Sequence, residues 1–169
     1  MQTLLPDCSV RKLQPVNADI EKIYAMASQN MLFYQYHPPF VTWQSILDDM
    51  SALPPGKTRA DKFYIGFFDG AALAAVVDMI LAYPNETTGY IGFFMVDKSR
   101  QGQGIGSRIL ADIENTMRNN GMCHSRLAVD KGKPQSYSFW TKNGYAVCGP
   151  EIPNDFSAYI PMQKELTPL

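Results

Sequence analysis

Three alternating glycines, Gly102, Gly104 and Gly106, lie in the segment QGQGIG, between an apolar stretch and an amphipathic one. Glycines at the start of a helix carry no Cβ, so a phosphate can approach the backbone closely. The free N–H groups of the first helical turn and the helix dipole then both attract the anion. The spacing therefore predicts an anion-binding site made of backbone amides.

Two common phosphate-binding motifs compete to explain this segment. The P-loop is excluded, because its pattern GxxxxGK followed by Ser or Thr is absent. A dinucleotide-binding turn fits better, since Gly102-x-Gly104-x-x-Ser107 is close to that motif and Asp130 ends the next predicted strand. However, residues 97–101 separate the glycines from the preceding strand, and too few residues follow for a second nucleotide-binding half. The dinucleotide interpretation is therefore the less favoured one.

The elements around the glycines follow from the hydrophobic pattern. An apolar strand is predicted at 90–96, and a helix begins near Gly104 and ends at the left-handed signal Asn120-Gly121. Pro134 opens a later helix as a first-turn residue. Asp69-Gly70 is a hairpin signal. Further strands are predicted at 10–13, 63–68, 71–83, 126–130, 145–148 and 158–163.

Two helices are predicted in the N-terminal third. Asn17 or Asp19 caps a helix that runs as far as Met31, and Thr42 caps a second helix that ends before residues 54–56. Residues 32–41 contain two adjacent prolines and are expected to be non-helical. The element order is thus β, α, α, three strands, α, β, α, β, β. It predicts an α/β fold, a single three-layer domain over residues 1–169 with a mixed central sheet.

The glycine segment resembles the acyl-CoA signature R/Q-x-x-G-x-G/A of the GNAT acetyltransferase superfamily, with Gln101, Gly104 and Gly106 at its defined positions. A second segment of this family, V-x-x-x-N-x-x-A-x-x-L-Y-x-K-x-G-F, matches in register downstream. It aligns with Val129, Lys133, Ser136, Phe139, Trp140, Lys142, Gly144 and Tyr145. The resemblance covers residues 64–144 and implies a GNAT-like fold whose sheet is splayed.

The resemblance also implies that acetyl-CoA is the acetyl donor. Its pyrophosphate would bind the backbone of the glycine segment: Gln101, Gly102, Gln103, Gly104, Ile105, Gly106 and Ser107. Its pantetheine arm would lie between two splayed strands, against Phe94, Met95 and Val96 on one side. Lys133, Ser136 and Trp140 would face the arm from the following helix, and the amide of Phe94 or a neighbour would polarise the thioester carbonyl.

Two positions depart from the family pattern. Lys133 stands where Asn is common, and Trp140 stands where relatives often have the Tyr that is thought to protonate the leaving thiolate. An indole N–H is no useful acid, so Trp140 is interpreted as a packing residue of the acyl pocket. Tyr137 lies one helical turn away and is a candidate substitute, although a packing or surface role is the commoner one for such a tyrosine.

The acceptor amine must be neutral to attack, so a base or a water relay is needed near the thioester. Many relatives place a Glu on the strand at 90–96, but that strand carries no carboxylate here. Asp78 is the nearest candidate. It lies in an apolar strand, and a role as a solvent-facing strand residue or as an ion-pair partner explains it equally well.

The loop FYQYHPPF at 33–40 belongs to a region that usually covers the acceptor site in this superfamily. Tyr34, Tyr36 and His37 are therefore candidate substrate-binding residues, with packing of the aromatic rings on the sheet as the alternative interpretation. His37 is the residue for which the two interpretations are hardest to separate.

Composition excludes several other classes. The net charge of −1 makes nucleic acid a poor partner, and no apolar stretch is long enough to span a bilayer. The start of the chain lacks a signal-peptide pattern, and three cysteines without metal-ligand spacing are expected to be buried or half-buried free thiols in the cytosol, with no metal site.

The resemblance therefore implies an N-acetyltransferase that transfers acetyl from acetyl-CoA to a primary amine of a small molecule or peptide, and the composition predicts a cytoplasmic location. The transfer would proceed by direct attack, without a covalent enzyme intermediate. The alternative is a GNAT fold that binds CoA but is catalytically weak. Exposed final strands, which often pair across dimers in such folds, are compatible with a homodimer.

Overall fold

The computed structural model describes residues 8–167, which contain five helices. These are α1 (Asn17–Ala27), α2 (Met31–Tyr36), α3 (Trp43–Ser51), α4 (Ile105–Asn119) and α5 (Pro134–Lys142). Two single 3₁₀ turns, Arg59–Asp61 and Lys98–Arg100, join helices to strands. None of the described helices is long and apolar enough to cross a membrane.

Eight strands form one sheet in these residues. They are β1 (Cys8–Lys12), β2 (Lys62–Asp69), β3 (Ala72–Ile80), β4 (Thr88–Val96), β5 (His124–Asp130), β6 (Ala146–Val147), β7 (Ile152–Pro153) and β8 (Ala158–Glu165). The strand order is β1-β2-β3-β4-β5-β8-β6, and β7 pairs with β8. All pairings are antiparallel except β4 with β5, which are joined through α4. The mixed sheet predicted from the element order is thus confirmed.

The sheet splits where β4 and β5 diverge. Their parallel pairing begins at Thr88 with His124 and ends at Ile91 with Leu127, although both strands continue beyond that point. On its other edge β4 carries a bulge at Gly92, because Asp78 faces Phe93 while Met79 faces Ile91. A bulge bends its strand and increases the local twist. It therefore helps to turn the second half of β4 away from β5 and opens a gap in the sheet.

Helices pack on both faces of the sheet, as the three-layer prediction requires. The first core cluster includes Ile109 and Met117 of α4 and Trp140 of α5. The second includes Ile23 of α1 and Ile46 of α3. The apolar strands β3 and β4 contribute side chains to both clusters, which explains why their sequences read as continuous apolar runs rather than as alternation.

The start and end of α1 differ from the prediction. The N-cap residue is Val16, and its side chain caps nothing. The Asp19 side chain accepts hydrogen bonds from the Gln14 N–H at 2.8 Å and from Arg11 at 2.6 and 2.9 Å, so it anchors the preceding turn. The helix ends at Ala27 instead of reaching Met31. Apolar residues keep their helical spacing across the break between α1 and α2, so the sequence pattern did not reveal where α1 ends.

The segment at 32–41 was predicted to be non-helical, and for its first half this was wrong. The helix α2 extends to Tyr36, and the prolines at 38 and 39 end the segment only after it. Pro38 disfavours the helical conformation at the residue before it, and His37 is the C-cap with a φ of −129°, so the turn up to Tyr36 can still be helical. By contrast, the Thr42 cap of α3 is confirmed, with the reciprocal bonds of a capping box to Ser45.

The cysteines are less buried than the sequence predicted. All three are free thiols, but only Cys8 is half-buried, and Cys123 and Cys148 are exposed. Cys123 lies in the turn that joins α4 to β5, and Cys148 directly follows the short strand β6. Connecting segments run over the surface of a domain, so a cysteine in one of them is not drawn into the core.

Candidate functional site

The glycine segment forms the turn at the start of α4. Gly102 and Gly104 have φ values of 75° and 79°, in the left-handed region that favours glycine, and Gly104 is the N-cap. The N-cap residue supplies no side-chain hydrogen bond to the first turn of α4. A Cβ added at either glycine would meet nothing within 4 Å, so the turn faces open space. The uncapped N–H groups of a 15-residue helix are thus left facing a cavity, and their binding of an anion stays a prediction.

Gly106 is constrained in a different way. A Cβ at this position would lie 3.1 Å from the ring of Phe139 and 3.6 Å from Val96. The third glycine therefore allows α4 to pack closely against α5 and β4. It contributes to the site by bringing these elements together, in addition to bordering the cavity.

A cavity of ≈ 470 Å³, which we call the glycine-loop cavity, lies in front of this turn. Its lining runs from the turn along the end of β4 to α5. Of the residues predicted to bind the donor, it contains Phe94, Met95, Val96, Gln101, Gly102, Gly104, Gly106, Ser107, Lys133, Ser136 and Trp140. The structure does not bring the side chains of Gln103 and Ile105 to it. Gln103 donates to the Ser99 carbonyl at 3.1 Å, and Ile105 is buried in the core.

The side chain of Gln101 holds the loop in place. Its Nε2 donates to the Val96 carbonyl at 2.9 Å and to Asn30 Oδ1 at 2.7 Å. Asn30 is buried between α1 and α2 and donates in turn to the Met26 carbonyl at 3.1 Å. Gln101 thus ties the glycine turn to the helical layer on the other face of the sheet.

A second cavity of ≈ 230 Å³, which we call the strand-gap cavity, fills the space between the diverging ends of β4 and β5. It is lined by residues 90–94 of β4, residues 127–130 of β5, and His37 and Tyr159. The two cavities share five lining residues, which we call the junction: Phe33, Phe94, Lys133, Ser136 and Trp140. The space in front of the glycine turn therefore continues to the gap in the sheet.

His37 links α2 to the end of β5 across the strand-gap cavity. Its Nδ1 lies 3.0 Å from Asp130 Oδ1, and its ring packs 5.3 Å from that of Phe33. The hydrogen bond to Asp130 raises the pKa of His37, and burial opposes the shift. The pair has the arrangement of a base held by a carboxylate. His37 is the one predicted substrate-binding residue that lines this cavity.

Tyr34 and Tyr36 line neither of these two cavities. The Tyr34 ring packs on Phe33 and Phe40, at 4.9 and 5.3 Å between centroids, and its burial raises its pKa to about 12. Tyr36 borders a separate small cavity beside His37. These positions agree with the packing interpretation for Tyr34 and place Tyr36 at the margin of the site.

Lys133 is a buried cation at the junction. Its Nζ lies 3.7 Å from the ring centroid of Phe33, which belongs to α2 on the opposite side of the cavity. Burial lowers the pKa of Lys133 to about 8, and the nearby Asp130 carboxylate opposes this effect. In the part of the chain that the structure describes, no carboxylate forms an ion pair with it.

Asp78 is buried on β3 and lines neither cavity. Its Oδ2 accepts a hydrogen bond from Lys62 Nζ at 2.8 Å, and its Oδ1 has no partner among the described residues. A Cβ added at Gly92 would lie 3.0 Å from Oδ2, so the carboxylate sits directly behind the bulge of β4. Burial raises the pKa of Asp78, while the Lys62 ammonium counteracts this.

The two aromatic candidates of α5 occupy different environments. Tyr137 is exposed and lines neither cavity. Trp140 is buried at the junction, where its ring packs against Phe94, Phe139 and Tyr145 at centroid distances of 5.6, 5.0 and 5.1 Å. Trp140 thus shapes the cavity wall, in agreement with the packing interpretation.

Comparison with protein-family models identifies residues 56–166 with one family, whose model is described as an acetyltransferase (GNAT) domain. The match spans about two thirds of the chain. The chain belongs to the GNAT acetyltransferase family. The resemblance carried by the glycine segment and the α5 segment is thereby confirmed. Comparison with curated protein sequences finds no significant match.

Solved GNAT structures share the fold of this chain over nearly its whole length. Ard1 from Thermoplasma volcanium superposes with a TM-score of 0.70 at 21% identity, covering 95% of this chain and 99% of that one. An acetyltransferase from Thermus thermophilus gives 0.73 at 15% identity, with coverage of 96% and 99%. The PaiA N-acetyltransferase from Thermoplasma acidophilum, solved in complex with coenzyme A, gives 0.67 at 19% identity, with 94% and 98%.

Sequence reasoning about this GNAT protein missed two features of the site. Phe33 lies at the junction, although only its neighbours in the loop were singled out. The spacing of Phe33 and His37, one helical turn apart, was the available signal once the segment was known to be helical. The pairing of His37 with Asp130 joins positions 93 residues apart and has no local signal.

Proposed function

We propose that this protein is an N-acetyltransferase that transfers the acetyl group of acetyl-CoA to a primary amine. The observation that carries the proposal is the continuous path from the uncapped glycine turn of α4 to the gap between β4 and β5. The glycine end of this path suits a phosphate, the junction suits a thioester, and the strand-gap end suits an acceptor amine. The proposal is supported by the family of the chain and by relatives solved with coenzyme A.

The donor would bind by its phosphates at the glycine turn. The N–H groups from Gln101 to Ser107 and the positive end of the α4 dipole attract an anion, and Gly102 and Gly104 leave room for it. The pantetheine arm would lie along the part of β4 that has no β5 partner, where it adds like a short strand. The thioester would then reach the junction beside Phe94, whose amide or a neighbouring one polarises its carbonyl.

The acceptor would enter the strand-gap cavity and meet the thioester at the junction. Its nitrogen must lose a proton as it attacks. We propose His37, held by Asp130, as the proton acceptor that the geometry favours, because it lines this cavity. Asp78 stays a second candidate, because its Oδ1 has no partner among residues 8–167 and its carboxylate lies directly behind Gly92, which lines the cavity.

The test is a screen for CoA release from acetyl-CoA across amino acids, polyamines, aminoglycosides and peptide N-termini. We expect release with at least one class and mass-spectrometric detection of one added acetyl group on the acceptor. Saturable acetyl-CoA binding without release for any amine would favour the alternative, a CoA-binding module that is catalytically weak. Absence of binding would overturn both.

A further inference from the structure

The two cavities meet at a junction of five side chains, and only one of these five is ionisable. Phe33, Phe94 and Trp140 are aromatic, and Ser136 carries a neutral hydroxyl. Among the described residues, Lys133 is therefore the single titratable group that borders both the glycine-loop cavity and the strand-gap cavity. A thioester that reaches the acceptor must have its sulfur near this point, because the donor and acceptor compartments share these lining residues.

The position of Lys133 is fixed from both sides of the cavity. It is the N-cap residue of α5, and its ammonium group lies over the Phe33 ring of α2 at 3.7 Å. An ammonium that is buried without an ion-pair partner is costly to a fold, unless a ligand supplies the missing charge. The Asp130 carboxylate opposes the lowering of the Lys133 pKa, but Oδ1 of Asp130 already lies 3.0 Å from His37 Nδ1.

We propose that Lys133 is the catalytic acid of the transfer, whose ammonium group stabilises and then protonates the departing CoA thiolate. This inference rests on the proposed function and adds a residue to it. The depressed basicity of Lys133, with a pKa of about 8, fits the role, because the group then lies close to the reference thiol value of about 8.5. Proton transfer between such matched groups needs little driving force.

The reaction balances with this assignment. The lone pair of the acceptor nitrogen forms the C–N bond to the thioester carbon, and the C–S bond breaks with its electron pair on sulfur. Lys133 gives one proton to that sulfur and becomes a neutral amine, while the acceptor nitrogen loses one proton to the base. The base then releases its proton to solvent, and Lys133 regains one proton from solvent, so both groups return to their starting states. The products are an N-acetylated amine and CoA thiol.

A role for Lys133 in CoA binding alone predicts different effects of its removal. If Lys133 only attracted CoA phosphates, its removal would weaken CoA affinity and leave the bound thiol unaffected. If it faces the sulfur, its removal raises the pKa of the bound CoA thiol by about 1–3 units, the usual effect of an opposite charge within 4–6 Å. The thiol pKa therefore separates the two roles.

The experiment titrates CoA bound to the intact protein by the ultraviolet absorbance of its thiolate. It compares wild type with Lys133→Met, Lys133→Arg and the control Lys131→Met. The control removes the same charge two residues away, from an exposed side chain paired with Glu151 at 2.8 Å. The other charged groups near Lys133 are Asp130 and His37, and the lysines at positions 98 and 142 border the glycine-loop cavity. All of these stay unchanged in every variant.

We expect a lowered thiol pKa in wild type and in Lys131→Met, a raised one in Lys133→Met, and a largely retained one in Lys133→Arg. The turnover of Lys133→Met should fall at least about tenfold, with a pH profile that no longer declines above about pH 8. An equal thiol pKa in wild type and the folded Met variant overturns the inference. If the Met variant does not fold, a wild-type bound thiol whose pKa is no lower than that of free CoA overturns it. Absence of CoA binding to wild type overturns the proposed function and the inference together.

Discussion

Some charged residues of this protein line the candidate site, and others form ion pairs inside the fold. Lys62 and Asp78 form a buried ion pair on the face of the sheet covered by α1 and α3. The sequence left Asp78 open between a base, a solvent-facing strand residue and an ion-pair partner, and its burial shows that the solvent-facing interpretation was wrong. The structure provides the partner, and a role in proton transfer stays a prediction. A buried pair of this kind makes removal of one member costly.

Asp78→Asn should lower the free energy of unfolding by about 3–5 kcal/mol, because the Lys62 ammonium is left buried without a counter-charge. Denaturant unfolding measures this loss. The matched control is the double variant Lys62→Met with Asp78→Leu, which removes both charges and should regain most of the stability. If Asp78 also acts as the base, the folded Asn variant loses about 10²–10⁴ in rate with unchanged acetyl-CoA affinity. An unaltered pH–rate profile would limit Asp78 to structure.

Trp140→Phe should retain most of the activity, because the indole shapes the junction and gives no proton. The smaller ring leaves a void among Phe94, Phe139 and Tyr145, which we expect to cost about 1–3 kcal/mol of unfolding free energy. Thermal melts and steady-state rates check both parts. Tyr137→Phe is the surface comparison, and a loss of about tenfold or more in its rate would restore Tyr137 as the acid.

At the scale of elements, the start of α4 illustrates what a sequence reveals. Glycine spacing, the following amphipathic pattern and the Asn120-Gly121 end of α4 are local signals, and all three predicted the structure correctly. The break between α1 and α2 was missed, because it depends on the burial of Asn30 and its long-range bond to Gln101. Short helices such as α2 are stabilised by tertiary contacts rather than by propensity, so local reasoning does not find them.

Gly104→Val should reduce acetyl-CoA affinity at least ~100-fold, since it blocks the phosphate position and misaligns donors that contribute about 1.5–3 kcal/mol each. Gly121→Val is the matched control. Gly121 has a φ of 80°, beside 79° for Gly104, and its added Cβ also meets nothing within 4 Å. The two variants therefore share the backbone strain, and calorimetric titration should show lost affinity only in the first. Equal affinities would refute the anion site.

The attachment of α2 should depend on pH through His37. Its pKa is raised in the folded state by Asp130, so the stabilising link is complete below about pH 6.5 and is lost as pH rises through the raised value. Lys133 and Asp49 also act on this ring, in opposite directions. The α2 amides should be better protected from hydrogen exchange in the wild type than in His37→Gln at low pH. At high pH the protection in the two proteins should become similar. Equal protection in both proteins at low pH would contradict the anchoring role.

For the whole molecule, the order of elements was sufficient to predict a mixed sheet covered by helices on both faces. The single parallel pairing of the described strands follows from the crossover through α4, and the antiparallel ones from the short connections. What the order does not encode is where β4 leaves β5, because that depends on the bulge at Gly92. The predicted pairing of final strands across a dimer stays a prediction, and the edge strand β6 is only two residues long.

The separation of the two cavities on either side of the junction has a kinetic consequence. Each product of the proposed reaction can leave by the compartment through which its parent arrived, so neither departure has to wait for the other. CoA should then compete with acetyl-CoA for the free protein, while the acetylated amine competes with the unmodified one. With a single entrance, one product would have to leave before the other. Two compartments allow a new substrate to bind in one while the product is released from the other.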